Sequence, residues 1–222
     1  IMNFEMASEM AEEEGIDVKT VIINDDVASA PKEKMENRRG VAGEVIIWKL
    51  AGAMAEKGYS IDEIKETAER ALFNTRSMGV AHKPCIMPTS GDPSFELAEG
   101  EMEIGVGHHG EPGIRKEMMK TNDEITADLL NIVLEDLPYK KGDEVVVLIN
   151  GLGSTSRLEM YISYRKVYNM LQEKGIKIVK NYIGEFFTSQ EMAGYSVTLT
   201  KVDDEIKELF EADCDAVGFT RL

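Results

Sequence analysis

Residues 144–159, EVVVLINGLGSTSRLE, contain in one stretch the features that define the fold class. The segment EVVVLIN, at 144–150, is an apolar and β-branched run that is typical of a buried strand. The residues after it predict a tight turn and then a helix over about 156–174. A further strand near 176–182 completes a strand–helix–strand unit, which indicates an α/β protein.

The turn INGLGSTSRLE, at 149–159, lies where α/β proteins bind phosphates through backbone N–H groups and the helix dipole. Its sequence is neither G-x-G-x-x-G nor a Walker A motif, and it lacks a lysine at the required spacing. We therefore interpret it as a tight strand-to-helix connection in which Ser154 or Thr155 caps the helix.

The N-terminal third predicts several helices around one convincing strand. These elements are a helix capped by Asn3 and ending at Glu14, a buried parallel strand at 18–25, a helix from about Val41 to Gly58, and a helix over about 61–78 that begins with a capping box of Ser60 and Glu63. The second helix carries an apolar sector too wide for a single strand to cover, formed by Ile46, Ile47, Trp48 and Leu50. We expect material outside this chain to bury it.

From Gly79 onward the sequence changes to short strands separated by proline and glycine turns, followed by helices at about 122–136 and 203–211. The predicted fold class is α/β: the C-terminal part of a doubly wound domain, followed by a second complete α/β domain. We assign residues 1–76 to the first part, whose earlier strands are absent, and residues 77–222 to the second. Because the chain begins at Ile1 with a helix, we expect a missing N-terminal segment.

Composition excludes several partners. The net charge is −16, from 41 acidic and 25 basic residues, so a phosphate polymer would be repelled and no nucleic acid is expected. No run of 18 apolar residues is present, so no membrane span is predicted. The two cysteines are too few for a disulfide scaffold and suit a reducing cytoplasm.

The segment VGHHGEPG, at 106–113, holds two of the three histidines between glycines. A neutral imidazole is a nucleophile and a base near pH 7, and glycines let a ligand approach the backbone closely. If the preceding strand continues to Gly107, His108 and His109 point to opposite faces, so they do not share an ion and no metal site is predicted. A pair of structural surface histidines remains the alternative.

Charged pairs occur in two further loops. Asp25 and Asp26 follow the predicted strand at 18–25, at the sheet edge where ligands gather in α/β proteins. Arg38 and Arg39 could clamp an anion, or they could form ion pairs with those carboxylates. The sequence leaves both interpretations open.

Taken together, these segments resemble the substrate-binding subunit or domain of dihydroxyacetone kinase over essentially the whole chain. The segments that carry the resemblance are, in order, MNFEMA, NDDVA, RRGVAG, KLAGAMAEKG, MGVA, GEMEIGVGHHGEPG, INGLGSTSRLE and TSQEMAGYSVTL. The resemblance implies that His109 bonds covalently to the carbonyl carbon of dihydroxyacetone as a hemiaminal. It also implies that Gly107 belongs to the substrate-binding loop.

The resemblance further implies partners. The family's aspartate and its second, glycine-flanked histidine precede the equivalent of Ile1, so this chain alone is expected to be a poor catalyst. No cofactor is expected in this chain; ATP or ADP with Mg²⁺ would lie in a nucleotide-binding partner subunit, and the chain would form a homodimer. An alternative is a non-catalytic triose sensor that acts as partner of a transcription regulator.

Overall fold

A computed structural model describes residues 1–221 as one mixed six-stranded sheet with helices on both faces, plus a small two-stranded hairpin. The helices are α1 (Met2–Glu13), α2 (Gly43–Glu56), α3 (Ile61–Phe73), α4 (Asn122–Asp136), α5 (Arg157–Glu173) and α6 (Asp204–Glu211), with a 3₁₀ turn at Lys32–Asn37. The strands are β1 (Thr75–Lys83), β2 (Glu101–Ile104), β3 (Arg115–Met118), β4 (Glu144–Gly151), β5 (Lys177–Gly184), β6 (Ala193–Val202), β7 (Cys214–Ala216) and β8 (Phe219–Arg221).

The sheet order is β3-β2-β1-β6-β4-β5, and only the β4–β5 pair is parallel. Side chains of β4 alternate between two apolar layers because successive strand residues point to opposite faces. Val147 packs in the layer that contains α4 and α5, and Leu148 packs in the layer that contains α2 and α6. The predicted α/β class, with helices on both faces of a sheet, is confirmed.

The predicted strand at 18–25 is wrong. Residues 18–25 form no strand, and no described strand pairs with them. β2 pairs with β1 only at Val80 and Ala81, so the segment reaches the free edge of β1 at its own end, through a parallel bridge between Asp26 and Ser77. Ile22 is consequently half exposed. None of the helices within residues 1–221 is long and apolar enough to cross a bilayer.

The helix predicted over 61–78 ends earlier, at Phe73, because the chain then enters β1 and pairs with β6 from Thr75 onward. The proposed division after residue 76 therefore falls inside β1, and it stays a prediction about independent folding. Within the apolar sector of α2, Ile46, Ile47 and Leu50 are buried with residues of β4 and α6 of the same chain, whereas Trp48 is 55% exposed. Burial of this sector by material outside the chain stays a prediction.

Helix starts follow local capping chemistry in the later elements. The predicted capping box of Ser60 and Glu63 is confirmed at α3. At α5, Ser156 is the N-cap and forms a capping box with Glu159, so the prediction of Ser154 or Thr155 is wrong. Helix α1 begins at Met2 with no side-chain cap and has no buried residue, which also corrects Asn3 as its N-cap.

A buried ion cluster joins three elements that are distant in sequence. The carboxylate of Asp136, at the end of α4, accepts hydrogen bonds from Arg38 at 2.8 and 2.6 Å and a further one from Nε of Arg76. Both arginine side chains are 1% exposed, and that of Asp136 is 8% exposed. The pKa of Asp136 is lowered, because these hydrogen bonds and charges outweigh the opposing effect of burial.

Replacing Asp136 by Leu should destabilise the protein by about 3–5 kcal/mol, because it leaves two buried guanidinium groups without a carboxylate. Chemical denaturation at pH 7 measures this change. The control is Glu208→Gln, which removes an exposed ion pair with Lys57 and should change the free energy of unfolding by less than about 1 kcal/mol. Equal effects of the two substitutions would show that the cluster is not a stabilising element.

Candidate functional site

The loop between β2 and β3, residues 105–113, is folded tightly against its surroundings. β2 ends at Ile104, so the strand alternation expected for the two histidines does not extend to them. A Cβ atom added at Gly107 would lie 2.3 Å from a carboxylate oxygen of Glu111 and 2.8 Å from Arg39. Glycine is thus required at this position because atoms of Glu111 and Arg39 occupy the space where a side chain would lie. The missing side chain of Gly107 does not open a pocket for a ligand.

Glu111 fixes the orientation of His109. The backbone N–H of His109 donates to Oε2 of Glu111 at 2.9 Å, and its ring Nδ1 lies 3.2 Å from Oε1. Burial raises the pKa of Glu111, but hydrogen bonds from backbone N–H groups and from His109 outweigh burial and lower it. An ionised carboxylate only accepts hydrogen bonds, so we assign the proton of His109 to Nδ1. The lone pair then lies on Nε2 of a side chain that is 76% exposed.

His108 lies between the ring of His109 and an aromatic wall. Its ring stacks on Phe187 with centroids 3.9 Å apart and an interplanar angle of 24°. The ring of His109 meets it edge-on at a centroid distance of 4.5 Å. The ring of Trp48 meets that of Phe187 edge-on, with a centroid distance of 6.2 Å. Burial, and secondarily the charge of His109, lower the pKa of His108 to about 4, so this ring is neutral at pH 7.

Arg39 ties this loop to the segment that contains the two aspartates. Its Nε and Nη2 atoms lie 2.9 and 2.7 Å from Oδ2 of Asp26. Nη2 also donates to the carbonyl of Gly105 at 3.1 Å, and Nη1 to that of Pro112 at 3.4 Å. Of the two interpretations left open for these charges, the structure shows internal ion pairing for Arg39.

The other two charged residues are also satisfied internally. Arg38 pairs with Asp136 in the cluster described above. Asp25 is fully buried and accepts hydrogen bonds from the backbone N–H groups of Val41 and Gly43 at 2.9 and 2.8 Å, where α2 begins. Desolvation by burial raises the pKa of Asp25 against the lowering effect of these hydrogen bonds.

The two histidines face a cleft of about 680 Å³. Its wall is formed by Ile1, Phe4, Glu5, residues 20–23, Arg39, Gly40, Glu44, Trp48, His108, His109, Glu111 and Phe187. A cleft with an apolar lining and a few convergent polar groups is the usual form of a small-molecule site. The exposed imidazole of His109 is the nucleophile available at this cleft.

The turn after β4 does not offer a free phosphate cradle. The carboxylate of Glu185 accepts hydrogen bonds from the backbone N–H groups of Gly153 and Thr155, both at 3.2 Å. An anionic side chain therefore already occupies the N–H groups that a phosphate would need. Within residues 1–221, no three or more histidine, cysteine, aspartate or glutamate side chains are grouped to hold a metal ion.

Sequence reasoning did not identify Glu111 or Phe187 as site residues. Glu111 lies two residues after His109, so the spacing of carboxylate and imidazole within HGE was a signal that could have been used. Phe187 follows β5 and reaches His108 only through the fold, so no local pattern predicts it. Gly107, predicted to contact substrate, uses its N–H to bind the carbonyl of Glu111 at 2.9 Å.

The fold and the cleft define a class of protein: α/β domains with a candidate small-molecule site, here bordered by a carboxylate-oriented imidazole. Residues 1–218 match the family described as Dak1 domain. The chain belongs to that family.

The chain is similar to relatives of known activity. It is 44% identical over 219 residues to the dihydroxyacetone-binding subunit DhaK of PTS-dependent dihydroxyacetone kinase 2 from Listeria innocua, covering 99% of this chain and 66% of that protein. It is 38% identical to an L-erythrulose kinase of Pectobacterium atrosepticum, covering 100% of this chain and 38% of that protein. The chain thus spans about two thirds, or less, of the length of these relatives.

A solved structure shows the same fold. It is described as the dihydroxyacetone kinase operon co-activator Dha-DhaQ, and it matches with a TM-score of 0.87 and 33% identity. The match covers 95% of this chain and 65% of that chain. Both kinase subunits and a co-activator are therefore similar to this chain.

The depressed pKa of His108 should make the protein less stable in mild acid. The pKa of His108 is about 6.5 in the unfolded chain and about 4 in the folded chain. Between these two pH values His108 binds a proton in the unfolded chain but not in the folded one. The free energy of unfolding should therefore fall as the pH decreases through this window. His108→Phe should reduce that fall, which urea titrations at pH 7 and pH 4.5 measure. Parallel pH profiles for the two proteins would contradict the assignment.

Proposed function

We propose that this chain is the dihydroxyacetone-binding subunit of a dihydroxyacetone kinase and holds the triose as a covalent hemiaminal on His109. The observation that carries the proposal is the Nδ1 contact with Glu111, which leaves Nε2 of an exposed imidazole available at the cleft. The family membership and the name of the Listeria relative support the substrate.

The proposed reaction is addition of Nε2 to the carbonyl carbon. The Nε2–carbon bond forms while the carbonyl π bond breaks, and the carbonyl oxygen takes up a proton to become a hydroxyl. Attack gives a positively charged ring, which the carboxylate of Glu111 stabilises, and an alkoxide that takes its proton from water. The ring then loses its Nδ1 proton to water, so the hemiaminal is neutral. Glu111 acts here as a positioning residue and electrostatic partner.

Covalent capture accounts for both selectivity and orientation. Only an aldehyde or ketone carbon accepts the attack, so glycerol, which has alcohol carbons alone, should not be captured. A triose fixed at its central carbon presents a free terminal hydroxyl in a restricted position. Such restriction removes translational and rotational entropy from the later phosphoryl transfer.

The phosphoryl donor is proposed to lie in a partner subunit. Phosphoryl transfer depends mainly on positioning and charge neutralisation of the phosphates, usually with Mg²⁺. In this chain the strand-to-helix turn is already bound by Glu185. We therefore place ATP, or an ADP recharged by a phosphotransferase system, with Mg²⁺ on the nucleotide-binding subunit, and we propose a homodimer of the present chain.

A second candidate function is a triose sensor that acts with a transcription regulator. It is favoured by the fold match to a structure described as an operon co-activator. Both functions use His109 to hold the ketose. They differ in turnover, so measuring dihydroxyacetone phosphate formation with the nucleotide-binding subunit and phosphoryl donor added separates a kinase subunit from a sensor.

Incubation with dihydroxyacetone followed by intact-mass analysis should show one adduct per chain, localised by a crystal structure to Nε2 of His109. His109→Ala should abolish the adduct because it removes the nucleophile. His108→Ala should retain it, and Glu111→Ala should weaken it because the Nδ1 proton loses its acceptor. An adduct that survives His109→Ala would refute the covalent anchor.

The chain alone should bind neither ATP nor ADP at concentrations up to about 1 mM, the weak end of ordinary affinities. Titration calorimetry measures this binding, and a coupled assay should detect no dihydroxyacetone phosphate when ATP is added to the isolated chain. Tight nucleotide binding would be evidence against a donor on a partner subunit. Glu185→Gln, which weakens the hydrogen bonds of this side chain to the turn, would then test the location of the nucleotide. A change in nucleotide affinity in this variant would place the nucleotide at the turn.

A further inference from the structure

We propose that His108 sets the chain length of the ketose, because its ring lies between the ligand cleft and a small inner cavity that Ser196 lines. The inference rests on the proposed function, since it assumes a ketose held on His109. It assigns a specificity-determining role to a residue that the proposed addition chemistry does not use.

The ring of His108 borders both spaces. It lines the 680 Å³ cleft on one side and an inner cavity of about 20 Å³ on the other. Phe187 also lines both, and its stacking contact at 3.9 Å holds the His108 ring in place. The two spaces are therefore separated by this stacked pair, directly beside the ring that carries the proposed nucleophile.

The inner cavity has a mostly apolar lining with a few polar side chains. Asp26, Asn150 and Ser196 line it together with His108. Ser196 is 4% exposed, and its Oγ atom has no hydrogen-bond partner within residues 1–221. The Nδ1 atom of His108 is buried and likewise has no partner among these residues. Buried polar atoms without partners are uncommon, and this pair marks a place suited to a hydroxyl group.

Unlike the hydroxyl of Ser196, the side chain of Asn150 already has hydrogen-bond partners within the protein. Its Oδ1 accepts hydrogen bonds from the backbone N–H groups of Phe186 and Phe187 at 3.0 and 2.9 Å, and its amide donates to the carbonyl of Phe187 at 2.8 Å. Asp26 is engaged by Arg39. Ser196 is thus the residue of the cavity best placed to bind an added hydroxyl.

A ketose with one more hydroxymethyl group than dihydroxyacetone needs space for a carbon and a hydroxyl beside His109. With His108 present, that space is filled by its ring, which meets the His109 ring at 4.5 Å. Removing the ring would open the cleft toward the inner cavity, where the Oγ atom of Ser196 can bind the hydroxyl of a fourth carbon. His108 therefore favours the three-carbon ketose over a four-carbon ketose such as erythrulose.

The experiment compares adduct formation by dihydroxyacetone and erythrulose in the wild-type chain, His108→Ala, His108→Phe and the double variant His108→Ala with Ser196→Ala. Intact-mass titration gives the apparent dissociation constant for each ketose. His108→Phe is the matched control because it keeps an aromatic ring between the two spaces. His108→Ser serves as a second small variant, and thermal unfolding verifies that each protein is folded.

In His108→Ala and His108→Ser, the affinity ratio of erythrulose to dihydroxyacetone should rise about tenfold, the low end of what one methylene-sized group contributes to discrimination. His108→Phe should leave the ratio unchanged. Adding Ser196→Ala to His108→Ala should lower the raised affinity ratio about threefold, as expected for one lost hydrogen bond.

The inference would be overturned if the affinity ratio were unchanged in both small variants, or if it rose equally in His108→Phe. In either case an adduct on the wild-type chain would still support the proposed function. Absence of an adduct with either ketose on the wild-type chain would overturn the proposed function and, with it, this inference.

Discussion

The ion pair between Arg39 and Asp26 is the interaction on which the site depends. Asp26 is 2% exposed and lies next to β1, while the histidine loop begins more than seventy residues later in the chain. Desolvation raises the pKa of Asp26 to about 6 even though Arg39 opposes this shift. The guanidinium supplies both the charge that this buried carboxylate needs and the donors that bind the carbonyls of Gly105 and Pro112. One side chain therefore sets the position of both ends of the loop.

The neighbouring Asp25 connects the same segment to the fold. Its carboxylate accepts hydrogen bonds from the backbone N–H groups of Val41 and Gly43, where α2 begins, and from the hydroxyl of Ser77 on β1. Adjacent aspartates thus fix a helix start and a functional loop from one short connection. The histidine loop then needs no regular structure of its own. Arg39 holds the loop through the carbonyls of Gly105 and Pro112. The Glu111 carboxylate holds it as well, and it occupies the space left by the missing side chain of Gly107.

Local patterns in the sequence predicted the later elements well, because β4, α4 and α5 carry strong periodicity and caps that act within a few residues. The segment 18–25 was predicted to be a strand because its β-branched residues favour one. Pairing depends on partners elsewhere in the chain, and no described strand pairs with these residues. His109 could be singled out from its glycine-rich loop and the family resemblance. The environment of His109 could not be predicted from the sequence, because Phe187 and Arg39 reach the loop only through tertiary contacts.

The central claim is that the structure orients His109 for covalent capture of a ketose through Nε2. The most direct test is nuclear magnetic resonance of the chain carrying ¹⁵N-labelled histidine with dihydroxyacetone labelled with ¹³C at its carbonyl carbon. We expect the labelled carbon to become tetrahedral and to show a one-bond coupling to a single ring nitrogen, Nε2 of His109. This coupling should be lost in His109→Ala. A labelled carbon that remains a ketone or its hydrate on binding, with no coupling to nitrogen, would contradict it.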